Sequence, residues 1–327
     1  MEEILKVVNL RKWFELRAGF LSSLLSKKKL FVKAVDKINF EIKRGEIYGL
    51  VGESGSGKTT TGRVILRLLD PTEGKVFFEG KEITSIPLEE FKPLRRYMQM
   101  IFQDPYESLN PRMTIGDIVE EPLVIQKIGE TEERKEAVYK ALEDVELIPP
   151  EEFIYRFPHE LSGGQRQRVA IARALILNPK FIVADEPVSM LDVSIRAEVL
   201  NLMLDLRDKY KVTILYITHD LALARHICDR IAVMYLGKIV EIGDVEKIVY
   251  EPLHPYTKAL IEAVPVPDPS SKRSKVVIKG EIPSPVNPPS GCRFRTRCPA
   301  YIGDICKTKE PEMVKIDDRY VACHLYS

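Results

Sequence analysis

No stretch of about 18 consecutive apolar residues occurs in the 327-residue sequence, so no segment reads as a membrane span. The opening residues, MEEILKVVNL, lack both the basic start and the long apolar run of a secretory signal, which points to a cytosolic chain. An excess of one charge is also missing. The 49 Lys and Arg residues meet 48 Asp and Glu, leaving no net field to collect nucleic acid. Cysteine is scarce. Of the five, Cys292, Cys298, Cys306 and Cys323 cluster near the end of the sequence with the spacing C-x5-C-x7-C-x16-C. No C-x2-C pair is present, so the spacing matches neither a zinc finger nor a ferredoxin. Clustered thiols in a cytosolic chain nevertheless suggest metal before disulfide. The isolated Cys228 reads as an ordinary buried residue. Apolar residues are not scarce: at 45%, with 30% charged, the chain has enough to pack one large domain plus an appendage, or two domains.

The strongest local pattern is VGESGSGKTT, Val51 to Thr60. Gly52, four intervening residues, then Gly57, Lys58 and Thr59 make a P-loop. Glycines let the backbone wrap round a triphosphate with its N–H groups inward, and the following helix offers its positive end. Lys58 is expected to reach the β- and γ-phosphates and the Thr59 hydroxyl to ligate Mg²⁺. Ser54, Gly55, Ser56 and Thr60 complete the loop. Residues 46–51 read as a buried parallel strand and TGRVILRLL as a helix, the context that the motif requires.

Around this loop the chain alternates strands and helices. Residues 3–10 read as a strand, with Trp13 and Phe14 just past its end. Residues 15–32 read as an inserted loop or short helix carrying three consecutive lysines. KAVDKINFEIKRGE reads as a strand pair turning at Arg44-Gly45, and KVFFEGKEI as an edge hairpin. A short apolar strand delivers Gln103. Residues of about 104–160 are expected to form an inserted helical subdomain, with Thr131 capping an amphipathic helix whose Val138, Ala141, Leu142 and Val145 share one face. FIVADE, TILYIT and RIAVMYLGKIVEIG supply further strands. Prolines multiply from Pro265 to Ser290, as in an extended linker.

Two carboxylates end FIVADE. Asp185 suits Mg²⁺ binding, and Glu186, just past the strand, suits polarisation of an attacking water. LSGGQ, Leu161 to Gln165, places Ser162, Gly163 and Gly164 at a helix N-terminus and so provides a second anion cradle.

LSGGQ resembles the signature of ATP-binding cassette ATPases, and the rest of that family's pattern follows in order. The resemblance implies that Phe14 stacks on adenine (Trp13 is adjacent and equally aromatic), that Gln103 senses Mg²⁺ and the γ-phosphate, and that Ser189 to Asp192 form the D-loop. It also implies that His219 contacts the γ-phosphate, although a lone histidine after a strand is ordinarily structural. Lys58, Gln103, Glu186 and His219 are then the catalytic set. ATP would lie against the P-loop residues of one cassette and against Ser162, Gly163, Gly164 and Gln165 of another, with Thr59, Gln103 and Asp185 at Mg²⁺.

HPYTKALIEAVPVPDP and GEIPSPVNPPSGCRFRTRCPAYIGDIC resemble the tail of oligopeptide/dipeptide importer ATPase subunits. The expected architecture is an α/β P-loop core with an antiparallel β subdomain and a helical subdomain over residues 1–250, then a four-Cys C-terminal region over 251–327. Relatives of that tail have been assigned an iron–sulfur cluster, so the resemblance favours 4Fe–4S over Zn²⁺. Arg293, Arg295 and Arg297 would offset the thiolate charge, or form a solvated basic strip. The implied function is ATP hydrolysis that energises uptake of oligopeptides or dipeptides. The implied partners are two transmembrane permeases, a sister ATPase subunit or a second copy, and an extracytoplasmic substrate-binding protein, with no nucleic acid. The chain would lie peripherally on the cytoplasmic face of the membrane. Oligosaccharide or nickel import, or a soluble non-transport ATPase of this class, are the alternatives.

Overall fold

Buried Leu5 and Val7 flank exposed Lys6 in the first strand, β1 (Glu3–Leu16), and an irregularity between Val8 and Arg11 brings Leu10 inward as well. Trp13 and Phe14 therefore belong to the strand and do not follow it. The computed structural model describes residues 2–16, 29–263 and 280–327. Most of the segment read as an insertion, residues 17–28, and most of the proline-rich segment, 264–279, lie outside the described residues.

The strands continue with β2 (Leu30–Lys43), β3 (Ile47–Val51), β4 (Glu73–Phe78), β5 (Lys81–Glu82) and β6 (Met98–Ile101). They end with β7 (Phe181–Asp185), β8 (Thr213–Thr218), β9 (Arg230–Tyr235), β10 (Lys238–Asp244), β11 (Val314–Ile316) and β12 (Arg319–Val321). KAVDKINFEIK is the continuation of one long strand, β2, rather than half of a pair. Its far end turns at Gly45, where φ is +77°.

The chain divides into two compact units. The first is made of Glu3–Ile42, Tyr48–Ser85 and Thr218–Ser327. It holds the antiparallel sheet in the order β2-β1-β4-β5, and a second run in the order β11-β12-β10-β9-β3. Residues of β3 are wholly buried and pair in parallel with β9, Tyr48 opposite Arg230 and Val51 opposite Val233. The C-terminal region is part of this sheet. Glu241 of β10 pairs with Val321 and Ile242 with Tyr320, so what reads as an appended tail supplies two strands. Tyr235, Tyr256 and Phe294, all fully buried, pack ring on ring with centroids 4.6 to 5.4 Å apart.

The second unit comprises Lys43–Ile47 and Ile86–Ile217. Its strands run parallel in the order β8-β7-β6, and β7 and the part of β8 that faces it are buried along their whole length. Helices Ile115–Gln126 and Thr131–Asp144 are two of the helices in the segment between β6 and β7. Val138, Ala141, Leu142 and Val145 are buried together. Thr131 is not the cap, however: Glu130 is, in a reciprocal box with Glu133 whose carboxylate accepts the Glu130 N–H at 2.8 Å. Helix Gly163–Leu175 ties these loops down. Arg166 donates to Pro158 O at 2.9 Å, and Arg173 donates to Ser108 O at 2.9 Å while pairing with Glu121 at 2.8 Å.

Candidate nucleotide site

In the first unit, buried β3 delivers the loop and helix Lys58–Ile65 receives it. Gly57 has φ +107°, and a Cβ there would stand 2.0 Å from Ala34 O, so the position admits only glycine. The loop is closed by Ser56 N–H donating to Glu53 O at 3.2 Å and by Gly237 N–H donating to Ser56 O at 2.8 Å. Gly52 and Ser56 are buried, Ser54 and Gly55 exposed, Thr59 and Thr60 half-buried. Lys58 is buried, and its ammonium donates to the carbonyls of Gly52 at 2.8 Å and Glu53 at 3.0 Å. The Ser56 hydroxyl is a buried polar atom without a partner. A glycine-bound cradle holding a buried ammonium and an orphaned hydroxyl suits a phosphate chain, because burying such groups without an anionic partner costs free energy.

Phe14 and Trp13 occupy opposite faces of β1. Phe14 is exposed, with Lys12 Nζ 5.2 Å from its ring centroid. Trp13 is half-buried, 6.1 Å from the Phe31 ring and 4.7 Å from Lys33 Nζ. His219, exposed, follows β8 on a turn held by the Asp220 N–H donating to Thr218 Oγ1 at 3.0 Å. Asp220 then caps helix Leu221–Ile227.

The second unit gathers the carboxylates. Asp185 ends β7 at 2% exposure. Glu186 takes φ +45°, in the left-handed region that non-glycine residues rarely occupy, and its N–H donates to Ile217 O at 2.9 Å. Its Oε2 accepts from Gln103 Nε2 at 3.1 Å. Ser162 and Gln165 meet each other: the serine Oγ accepts the Gln165 N–H at 3.3 Å and Gln165 Oε1 accepts the Ser162 N–H at 2.9 Å. The Gln165 side chain is thus used to cap its own helix. Gly164 has a second reason to be glycine, since a Cβ there would come 2.7 Å from Ile195 Cγ2. Past β7, Arg196 Nε donates to Leu191 O at 2.8 Å. The P-loop residues, Phe14 and His219 thus belong to one unit, and Gln103, Asp185, Glu186 and Ser162–Gln165 to the other.

Two of the three arginines are engaged with carboxylates away from the thiols, and only Arg295 lines the cavity of the four cysteines. Arg293 pairs with Asp36 and donates to Leu236 O, Arg295 donates to Ser290 O at 2.9 Å, and Arg297 pairs with Glu53 of the P-loop. Sequence spacing did not disclose these partners, because each lies far along the chain or has no periodic signal. None of the five cysteines forms a disulfide. Cys292, Cys298, Cys306 and Cys323 line one small cavity of about 10 Å³ together with His254 and His324. Burial pushes the Cys292 thiol up to about 11, with the neighbouring thiols acting in the same direction, and Cys298 and Cys323 shift upward for the same reasons. Among the described residues no group of three or more His, Cys, Asp or Glu side chains is set to hold a metal ion.

Fold and loop together define a P-loop α/β nucleotide-binding protein of the cassette type. Residues 35–189 match the family described as ABC transporter, and residues 240–306 match the oligopeptide/dipeptide transporter C-terminal region. AppF of Bacillus subtilis, an oligopeptide transport ATP-binding protein, is 49% identical over 330 residues, covering 100% of this chain and 98% of its own. A Brucella ovis relative is 52% identical over 313 residues, 96% of this chain and 94% of its own. Among solved structures, the dimeric post-hydrolysis state of the ATP-binding cassette MJ0796 bound to ADP and Pi has a TM-score of 0.64 at 31% identity, covering 74% of this chain and 99% of that one. The cbiO1 subunit from Clostridium perfringens has a TM-score of 0.65 at 27% identity, covering 77% and 92%. The chain belongs to the ATP-binding cassette family of transporter ATPases, with an oligopeptide/dipeptide-type C-terminal region.

Proposed function

We propose that this chain is the ATP-hydrolysing subunit of a binding-protein-dependent importer of oligopeptides or dipeptides. The observation that carries the catalytic part is Glu186, placed directly after buried Asp185 and held by Gln103 at 3.1 Å. A carboxylate fixed by an amide donor is suited to orient and deprotonate water at a γ-phosphate. Lys58, Gly52, Ser54, Gly55, Ser56, Gly57, Thr59 and Thr60 would hold the triphosphate, and Phe14, the exposed aromatic of the pair, would stack on adenine. Mg²⁺, held by Thr59 and Asp185 with Gln103 nearby, would neutralise charge between the phosphates. His219 would contact the terminal phosphate, and Ser162, Gly163, Gly164 and Gln165 would close on the ATP of a second cassette.

Residues 1–250 would then form the ATPase domain, with a helical subdomain over about 104–160, and residues 251–327 the importer-type region. Exposed Tyr106, Val124, Ile125, Ile148 and Tyr155 all fall within the helical subdomain and support docking there on two permease subunits. No helix among the described residues is long and apolar enough to cross a membrane, so the permeases would hold the chain at the cytoplasmic face. Peptide as cargo is supported by AppF and by the C-terminal family match. A sister ATPase subunit, or a second copy of this chain, would complete the dimer, and an extracytoplasmic binding protein would supply the cargo. A 4Fe–4S cluster at the four cysteines, with Zn²⁺ the alternative, rests on the resemblance of the C-terminal region and on the count of four thiols, and the cavity of about 10 Å³ that they line would have to open to hold a cluster. No catalytic step is assigned to it.

Uptake of labelled di- and oligopeptides by cells lacking this chain tests the reading. Restoration by the wild type but not by Glu186→Gln is expected. Restored nickel or oligosaccharide uptake with unchanged peptide uptake would reject the peptide assignment. Iron, sulfide and zinc analysis after anaerobic purification decides the tail, and metal content unaffected by Cys→Ser changes would reject the ligand set.

A further inference from the structure

A carboxylate in a phosphate-binding loop is a handicap, because like charges repel the anion that the loop must hold. Glu53 lies in that position, between Gly52 and Ser54. The structure removes the handicap from outside the loop. Arg297 Nη1 donates to Glu53 Oε2 at 2.9 Å and Nη2 donates to Oε1 at 3.1 Å, a bidentate pair in which the arginine side chain is only 8% exposed and the glutamate 23%. The Glu53 N–H donates to the Tyr256 hydroxyl oxygen at 2.9 Å, and the Glu53 carbonyl accepts from Lys58 at 3.0 Å. Side chain, amide and carbonyl of this one residue are therefore all fixed, the first two by residues far downstream. Arg297 is itself held. Its guanidinium lies 5.8 Å from the Tyr235 ring centroid, and Tyr235 packs on Tyr256 at 4.6 Å and on Phe294 at 5.3 Å. Phe294 and Arg297 lie between Cys292 and Cys298, so the four-Cys region grips the phosphate loop directly.

We propose that Arg297 is a positioning residue of the ATP site: by pairing with Glu53 it neutralises the loop's own carboxylate and holds the Gly52–Gly57 backbone in its anion-binding shape. The proposal rests on the reading of this loop as the ATP site. Arg297 acts through Glu53 and is absent from the chemical step, so its loss falls on binding. It also makes ATP affinity depend on the four-Cys region, which lies roughly 240 residues downstream of the loop.

The test uses the full-length chain and equilibrium titration with Mg·ATP, alongside steady-state hydrolysis at varied ATP. Arg297→Ala is expected to raise Kd and KM about tenfold, the scale of coupling between a binding site and a group acting on it indirectly, with kcat changed less than about twofold. Arg297→Lys, which keeps the charge but not the fork, recovers part of the loss. The double variant Glu53→Gln with Arg297→Ala binds ATP more tightly than Arg297→Ala alone, because the stranded carboxylate is gone. If Arg297→Ala does not fold, the lysine variant and the double variant still carry the comparison. Wild-type affinity in both arginine variants, or a double variant as weak as Arg297→Ala, overturns the proposal. A wild-type chain that binds no ATP rejects the ATPase reading instead.

Discussion

Gln103 and Glu186 lie 83 residues apart in sequence, yet the glutamine Nε2 donates to the glutamate Oε2 at 3.1 Å. The bond ties the loop after β6 to the residue after β7, two strands that pair with each other in parallel. Removing the carboxylate charge while keeping its shape isolates its chemistry. Glu186→Gln is expected to lower the ATP turnover rate at least about 100-fold, the usual scale for a lost general base. ATP affinity should be retained, and phosphate release at saturating ATP is the measurement. A turnover rate within a few-fold of wild type would dismiss Glu186 as the base.

Lys58 contributes through binding. Its ammonium is buried within the loop and fixed by two carbonyls. Lys58→Ala should weaken Mg·ATP binding by at least about 100-fold, since a charge-assisted contact to phosphate is lost from a desolvated site. Calorimetric titration reads it directly, and an unchanged Kd would contradict the role.

Gly164 is constrained by a neighbour as well as by any ligand. Gly164→Ala drives a Cβ against Ile195 Cγ2, 2.7 Å away, and should destabilise the chain by about 1–3 kcal/mol even though alanine is the better helix former. Adding Ile195→Ala should restore part of that loss. Thermal unfolding of the three chains decides it: without second-site relief, the steric explanation fails.

His254 gives a pH-dependent outcome. Burial lowers its pKa from 6.5 to about 3, and its neutral Nδ1 accepts the Tyr256 N–H at 3.0 Å. Between pH 6.5 and about 3 the unfolded chain binds a proton at this site and the folded chain does not, so stability falls as pH falls. Glu241, whose pKa burial raises and which accepts the His254 N–H, acts with the opposite sign above its unfolded pKa of 4.5. Comparison with His254→Gln cancels that contribution. The stability advantage of wild type over the variant should shrink by about 1.4 kcal/mol per pH unit below 6.5. Denaturant titrations at pH 7 and pH 5 measure it, and a constant difference would contradict the assignment.

The bend at Gly57, the carboxylates at the end of β7 and the helix cap at Ser162 are legible because each rests on local order: a glycine where the chain must bend, an apolar strand, a cap. β7 and β8 are found where FIVAD and TILYIT place them, since continuous apolar runs leave a parallel strand little choice. Aromatics beside charges read as a strand end at Trp13 and Phe14, but aromatic side chains suit a strand and β1 runs on to Leu16. The cap moved from Thr131 to Glu130 because a glutamate box competes with the stronger single-residue preference. Least legible were Arg297, Tyr256 and strands β11 and β12. Their partners, Glu53 and β10, lie far upstream, and no periodicity within the tail encodes a contact at that range.

The pairing of β12 with β10 has a consequence for synthesis of the chain. A ribosome has to translate past Val321 before the sheet carrying the phosphate loop can gain its last strands, so the loop's support matures after the helical unit's contiguous stretch has already emerged. A stop codon placed after Tyr250 would leave the glycine-rich motif intact on paper, yet deprive it of the arginine and tyrosine that steady it. Nascent chains halted there would be expected to need chaperone shelter rather than to bind nucleotide early.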